Sequence, residues 1–202
     1  MRALVTGTSG FVGSAVARRL AADGHDIRVL VRPTSDRRNL EGLSVEIVEG
    51  DLAQPETLEP AVVGCDAVFH VAADYRIWVP DGGASMYRAN VDGTRDLIRA
   101  ASDGGVRRLV YTSSVAVLYP LPGTGVADET AAATVDDMIS HYKKSKFLAE
   151  EEVMRLVREE SAPVVIVNPA APFGPRDIKP TPTGRIVLDA AKGRMPAYLD
   201  TG

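Results

Sequence analysis

Three glycines at fixed spacing, placed directly behind a short apolar run, constrain this chain more than any other feature. Ala3, Leu4 and Val5 lead into Thr6–Gly13, TGTSGFVG, in which Gly7, Gly10 and Gly13 stand three apart. That spacing fits a turn between a first strand and a first helix that receives a dinucleotide. One glycine allows the tight turn, one lets backbone approach a pyrophosphate, and one lets the helix pack against the strand. A helix beginning near Phe11 then points free N–H groups and its positive dipole end at the phosphates. Gly7, Ser9, Gly10, Phe11, Val12 and Gly13 are therefore expected to form the phosphate cradle.

The rest of the 202 residues repeats the same alternation. Strands are expected at Ala3–Val5, Ile27–Val31, Val45–Val48, Ala67–Ala72, Leu109–Thr112 and Val164–Val167, each rich in Val, Ile or Leu as in strands covered on both faces. Helical patterns fall between them at Phe11–Ala22, Glu56–Val62, Ser85–Ser102 and Met138–Glu160, with a short turn near Arg37–Leu40. Gly24, Gly64 and Gly104 sit where left-handed helix caps are common. The expected fold is α/β, a doubly wound parallel sheet of Rossmann type with right-handed crossovers. Residues 1–168 read as a cofactor-binding domain. After Val167 a proline-rich stretch leads to one more helix, Gly184–Lys192, so residues 169–202 read as the start of a substrate-binding region whose remainder is largely absent.

Composition excludes several classes. With 45% hydrophobic and 25% charged residues and a net charge of −4, there is no basic stripe for nucleic acid. No apolar run is long enough to cross a bilayer, and no secretory leader is apparent. The single cysteine, Cys65, excludes an internal disulfide framework and reads as a small buried residue. A cytoplasmic protein acting on a small molecule is expected.

An NAD-binding unit usually offers a carboxylate at the end of its second strand. Here Arg32 stands there instead, with Arg37 and Arg38 behind it, a pattern that favours NADP over NAD because a guanidinium pairs with a 2′-phosphate. A solvated basic loop is the alternative. Asp51 and Leu52 end the third strand region, where they meet an adenine or merely cap a turn. Ala72 and Ala73 leave room for a cofactor to lie over backbone.

Tyr142 and Lys146 are four apart on the longest helix and share a face. A phenol near pKa 10 is a poor base at neutral pH. Two charges about 4 Å apart at an effective dielectric of about 20 interact by roughly 4 kcal/mol, enough to lower the phenol by up to roughly three units. Such a phenol serves as an acid and base near pH 7. Tyr111-Thr112-Ser113-Ser114 ends the fifth strand, where ligands of open α/β sheets bind. Ser114 either orients a reacting oxygen there or caps backbone.

Together TGTSGFVG, Asp51-Leu52, His70-Val71-Ala72-Ala73, Tyr111–Ser114 and Tyr142-x-x-x-Lys146 resemble the extended short-chain dehydrogenase/reductases. HVAADYRIWVPD (70–81), HYKKSKFLAEEEV (141–153) and GPRDIKPTPTGRIV (174–187) are similar to the hopanoid-associated sugar epimerase and dihydroflavonol-reductase-like group. The resemblance implies an epimerase/dehydratase-type oxidoreductase moving hydride on a sugar-like or polyol-like substrate, or an NADPH-dependent ketone reductase. A non-catalytic NADP-binding module is a third reading. It also implies Tyr142 as acid and base, Lys146 on the nicotinamide ribose and lowering the tyrosine, Ser114 orienting the reacting oxygen, and Pro169 beside the nicotinamide. Asn90 is implied to brace the loop beneath the site. Many relatives carry Arg where Asn168 stands. The helices at 85–102 and 138–160 are implied at a dimer contact, and the loop Asp74–Ser85, with Tyr75, Arg76 and Trp78, at substrate or partner.

Overall fold

A computed structural model describes residues 1–76, 78–119, 125–128 and 133–195. Ile77 in the loop 74–85, and residues 196–202 of the final segment, lie outside the described residues. Six parallel strands form one sheet: β1 (Arg2–Thr6), β2 (Asp26–Val31), β3 (Glu46–Glu49), β4 (Ala67–His70), β5 (Arg108–Thr112) and β6 (Val164–Val167). Their order across the sheet is β3-β2-β1-β4-β5-β6. The order reverses between β1 and β4, so a crevice opens beyond the carboxyl ends of those two strands. The expected α/β architecture is therefore present.

Helix α1 (Phe11–Ala22) lies on one face of the sheet, where Ala17 and Leu20 pack with Ala3, Val5, Ile27, Val29 and Val31. The opposite face carries α2 (Leu58–Val62), then α4 (Gly93–Asp103), which the short α3 (Ala84–Tyr87) precedes, and α5 (His141–Glu160). These pack through Leu4, Val68, Leu109, Leu97, Ile98, Val153 and Leu156. Burying each of these aliphatic side chains contributes about 1.5–3 kcal/mol. Coverage of both faces does not extend to the sheet edges: Val165 and Val167 of β6 and Ile47 of β3 are exposed. The last helix, α6 (Pro182–Ala191), is capped by Thr181 and has no buried residue.

Several boundaries differ from the sequence reading. β4 ends at His70 because the next amides, Val71 and Ala72, both donate to the Thr6 hydroxyl at 3.1 Å instead of continuing a ladder. The helix expected over 85–102 is α3, a π-helical turn over Arg88–Asp92 and then α4. Helix α5 starts at His141, because the Ser140 hydroxyl accepts from the Lys143 amide at 3.2 Å and caps it there. Gly24 and Gly64 take left-handed backbone as expected, but after α4 it is Gly105, φ 74°, that does so, while Gly104 has φ −74°. Among the described residues no helix is long and apolar enough to cross a membrane.

Candidate active site

The glycine turn is built as a cradle. Gly7 has φ 75°, and a Cβ on it would lie 2.7 Å from the Ala72 nitrogen, at the start of the segment after β4. A Cβ on Gly13 would lie 2.3 Å from the Gly7 carbonyl oxygen. The turn and the first turn of α1 are thus pressed together at a distance that no side chain tolerates. Gly10 caps α1 without any side-chain hydrogen bond, and the first turn contains no carboxylate, so its amides face outward uncompensated. The Thr8 hydroxyl and the Asn39 side-chain oxygen are buried beside the turn without partners among the described residues, and the Asn39 amide is held by the Ser9 carbonyl at 3.1 Å. Open amides, a cradle that a Cβ would fill and buried orphaned polar atoms fit a bound dinucleotide. Phe11 and Val12 are half-buried at the mouth.

Of the three arginines after β2, two are already engaged: Arg37 pairs with Glu49 and Arg38 with Asp36. The Arg32 side chain is exposed and carries no ion pair or hydrogen bond among the described residues. Its charge helps to hold the Asp74 carboxylate low without closing an ion pair. Asp51 is half-buried and its carboxylate accepts from the Ala53 amide at 3.0 Å, a turn cap. Leu52 is buried against Gly93, where a Cβ would come within 2.7 Å of the leucine Cβ. Ala72 and Ala73 line the crevice half-buried.

Ser114, Tyr142 and Lys146 converge beyond the end of β5. The Ser114 hydroxyl accepts from the Ala116 amide at 3.1 Å, so the capping alternative is realised. Its influence extends to the Tyr142 phenol. Burial raises the pKa of that phenol above the ordinary value, and the Ser114 hydroxyl pulls the other way. Lys146, only 2% exposed, donates to the Tyr111 hydroxyl and the Thr112 carbonyl, both at 2.8 Å, and lies 4.4 Å above the Tyr111 ring centroid. The expectation that Lys146 depresses the Tyr142 pKa is therefore corrected. The shared helical face is real, but the lysine stem turns toward β5, and burial of the phenol outweighs its other influences. Burial likewise brings Lys146 down to about 7, opposed by the Glu150 carboxylate one turn along α5. Pro169 is half-buried, and its carbonyl accepts from the Val115 amide at 3.3 Å, which sets it next to Ser114. Asn168 ties the Ser114 carbonyl (3.2 Å) to the Glu150 carboxylate (2.9 Å).

Behind these groups runs a polar row that the sequence reading did not resolve. Thr6, His70 and Tyr111 are register partners across β1, β4 and β5. Thr94 donates to the Asn90 carbonyl at 2.6 Å, so its oxygen accepts from His70 Nε2 at 2.9 Å. Nδ1 then accepts from Thr6, also at 2.9 Å. The histidine is thereby fixed as the neutral Nε2–H form. Burial, and secondarily the Lys146 charge, lower its pKa to about 3. Asn90, in the π-helical turn, receives the Asp74 amide and donates to the Asp74 carbonyl and to Ser145, which in turn donates to the Tyr142 carbonyl. That linkage is the brace expected of Asn90, and local widening of a helix is frequent at functional sites. A polar residue at the same register on three neighbouring strands was the available signal.

This arrangement has counterparts. A sequence model of the NAD dependent epimerase/dehydratase family matches residues 3–197. The chain belongs to that family. It is 45% identical over 198 residues to a Synechocystis sp. protein assigned provisionally as a dihydroflavonol 4-reductase, covering 98% of this chain and 57% of the relative. Among solved structures, gox2253 is similar at 56% identity and TM-score 0.89, over 97% of this chain and 59% of that one. UDP-glucose 4-epimerase of Thermus thermophilus, in complex with NAD, is similar at 28% identity and TM-score 0.82, over 98% and 65%. The chain thus spans less than two thirds of the length of these relatives.

Proposed function

We propose that residues 1–168 bind NADP and that this family member transfers hydride between the nicotinamide and a carbinol or keto carbon, working as a ketone reductase. Residues 169–202 open the substrate-binding region. The observation that carries this reading is Lys146 bonded to the Thr112 carbonyl at the carboxyl end of β5, with Tyr142 one turn before it on α5 and Ser114 two residues beyond Thr112, on the same rim of the sheet as the glycine cradle. The nicotinamide, when bound, supplies or accepts the hydride. Tyr142 donates its proton to the developing alkoxide, with Ser114 holding the reacting oxygen in reach. Lys146, placed by Tyr111 and Thr112, presents its ammonium to the ribose hydroxyls, and Asn90 holds the segment after β4 in place. A protonated phenol, favoured by the burial of Tyr142, suits the reductive direction.

Arg32 supports NADP, since it alone of the three arginines after β2 makes no ion pair among the described residues. The relative assigned as a dihydroflavonol 4-reductase agrees with reduction. The likeness to a UDP-glucose 4-epimerase favours a second reading, an epimerase on a sugar-like substrate that keeps its cofactor. Incubation with a panel of ketones separates the two: a reductase consumes NADPH in proportion to product, and an epimerase inverts substrate with no net loss of cofactor absorbance. Tyr142→Phe is expected to lower turnover by about 10²–10⁴-fold with cofactor affinity unchanged. Undiminished turnover in that variant excludes the phenol as the acid.

A further inference from the structure

The chain after β6 crosses back over the cofactor cradle. Gly174 sits against Phe11, where a Cβ would come within 3.4 Å of the ring. Farther on, Lys179 Nζ stands 3.8 Å from the Asp36 carboxylate, in the loop that follows Arg32. The strap is held in shape by its own bonds: Asp177 accepts from the amide and hydroxyl of Thr181, both at 2.8 Å, and the Thr183 hydroxyl donates to the Pro172 carbonyl at 2.9 Å.

Between those two anchors lies Arg176, exposed and without a carboxylate partner among the described residues. Its charge is felt by Arg18 of α1, which donates to the carbonyls of Asn39 (3.0 Å) and Glu41 (2.7 Å) and leaves its buried Nε without an acceptor among the described residues. Burial, and then the charge of Arg176, lower the pKa of Arg18, so the two guanidiniums repel. Two uncompensated cations and an unused N–H beside the loop after β2 are costly unless an anion arrives between them. The loop they flank, 32–41, is where an adenosine ribose rests in a doubly wound sheet.

We propose that Arg176 is a phosphate ligand carried on the strap, closing over the 2′-phosphate of the cofactor from the side opposite to the sheet. This rests on the NADP reading above.

Calorimetric titration of the protein with NADP⁺, NAD⁺, 2′,5′-ADP and 5′-AMP tests it, with Arg176→Asn as the variant because asparagine tolerates the left-handed backbone at this position, φ 69°. The dissociation constants of NADP⁺ and 2′,5′-ADP are expected to rise about tenfold, as for loss of one charge-assisted bond. Those of NAD⁺ and 5′-AMP are expected to stay within about twofold of wild type. Equal weakening of all four ligands overturns the proposal, since Arg176 then serves the pyrophosphate or the fold. No weakening in the variant, with a wild-type preference for NADP⁺ intact, overturns it while sparing the NADP reading. A wild-type protein that binds NADP⁺ and NAD⁺ equally removes that reading and the proposal with it.

Discussion

Acidifying the protein should destabilise it through His70 before any carboxylate responds. His70 is fully buried, and its Nδ1 accepts from a Thr6 hydroxyl that already receives the amides of Val71 and Ala72. A proton on Nδ1 would point at an oxygen with no capacity for a third donor, and the Lys146 charge opposes it further. The folded-state pKa is about 3 against 6.5 for the free side chain. Because the folded value is the lower one, the unfolded chain binds the extra proton between those limits. The stability that His70 contributes is therefore complete above about pH 6.5 and declines as pH falls toward 3. Integrating the linkage from about pH 6 to about pH 4.5 gives a loss of about 2 kcal/mol, at a limiting slope of about 1.4 kcal/mol per pH unit. Lys146, brought down to about 7, is almost fully protonated in both states over that window and adds little. Carboxylates held low by hydrogen bonds, among them Asp36, Glu46, Glu152 and Glu160, begin to contribute near about pH 5 in both proteins, so the difference between the two curves reports His70. Urea unfolding followed by circular dichroism across this range, on wild type and His70→Gln, measures the slope. The absolute stability of the variant does not enter, only its pH dependence. Parallel curves for the two proteins would refute the reasoning, since the histidine would then carry no differential proton.

Two further outcomes follow from the same geometry. Gly13→Ala places a methyl 2.3 Å from the Gly7 carbonyl oxygen, so the turn must open; a loss of about 3 kcal/mol in urea unfolding and of dinucleotide binding in calorimetry is expected. Asn90→Ala strips the Asp74 segment of both its side-chain bonds and frees the Ser145 hydroxyl. It should lower kcat more than it raises the cofactor Kd, at a stability cost of about 1–3 kcal/mol, and equal effects on both would speak against a brace confined to the catalytic side.

How far the sequence reached depends on whether the deciding interaction is local. Helix α1 is readable at both ends because glycines mark them: Gly10 caps it, and Gly24, φ 79°, ends it. The cradle is legible for the same reason, since a Cβ is forbidden at Gly7 and Gly13 whatever else surrounds them. Other boundaries depend on remote partners. The end of β4 is set by a hydroxyl on β1, and the π-helical turn at Arg88–Asp92 presents Asn90 to Asp74 and Ser145, neither of which is local. Met138 continues the apolar periodicity of α5 but is buried in the turn before it, so pattern alone extends the helix too far.

Chain order, the alternation of buried strands with helices, and the glycine turn are properties of short segments, and the sequence by itself determined them through backbone sterics and hydrophobic period. Which way Lys146 turns, and hence which groups set the acidity of Tyr142, was decided only by the tertiary structure. Spacing along a helix fixes a shared face. Desolvation and the nearest acceptor, here Tyr111 on a strand 35 residues away, fix the charge.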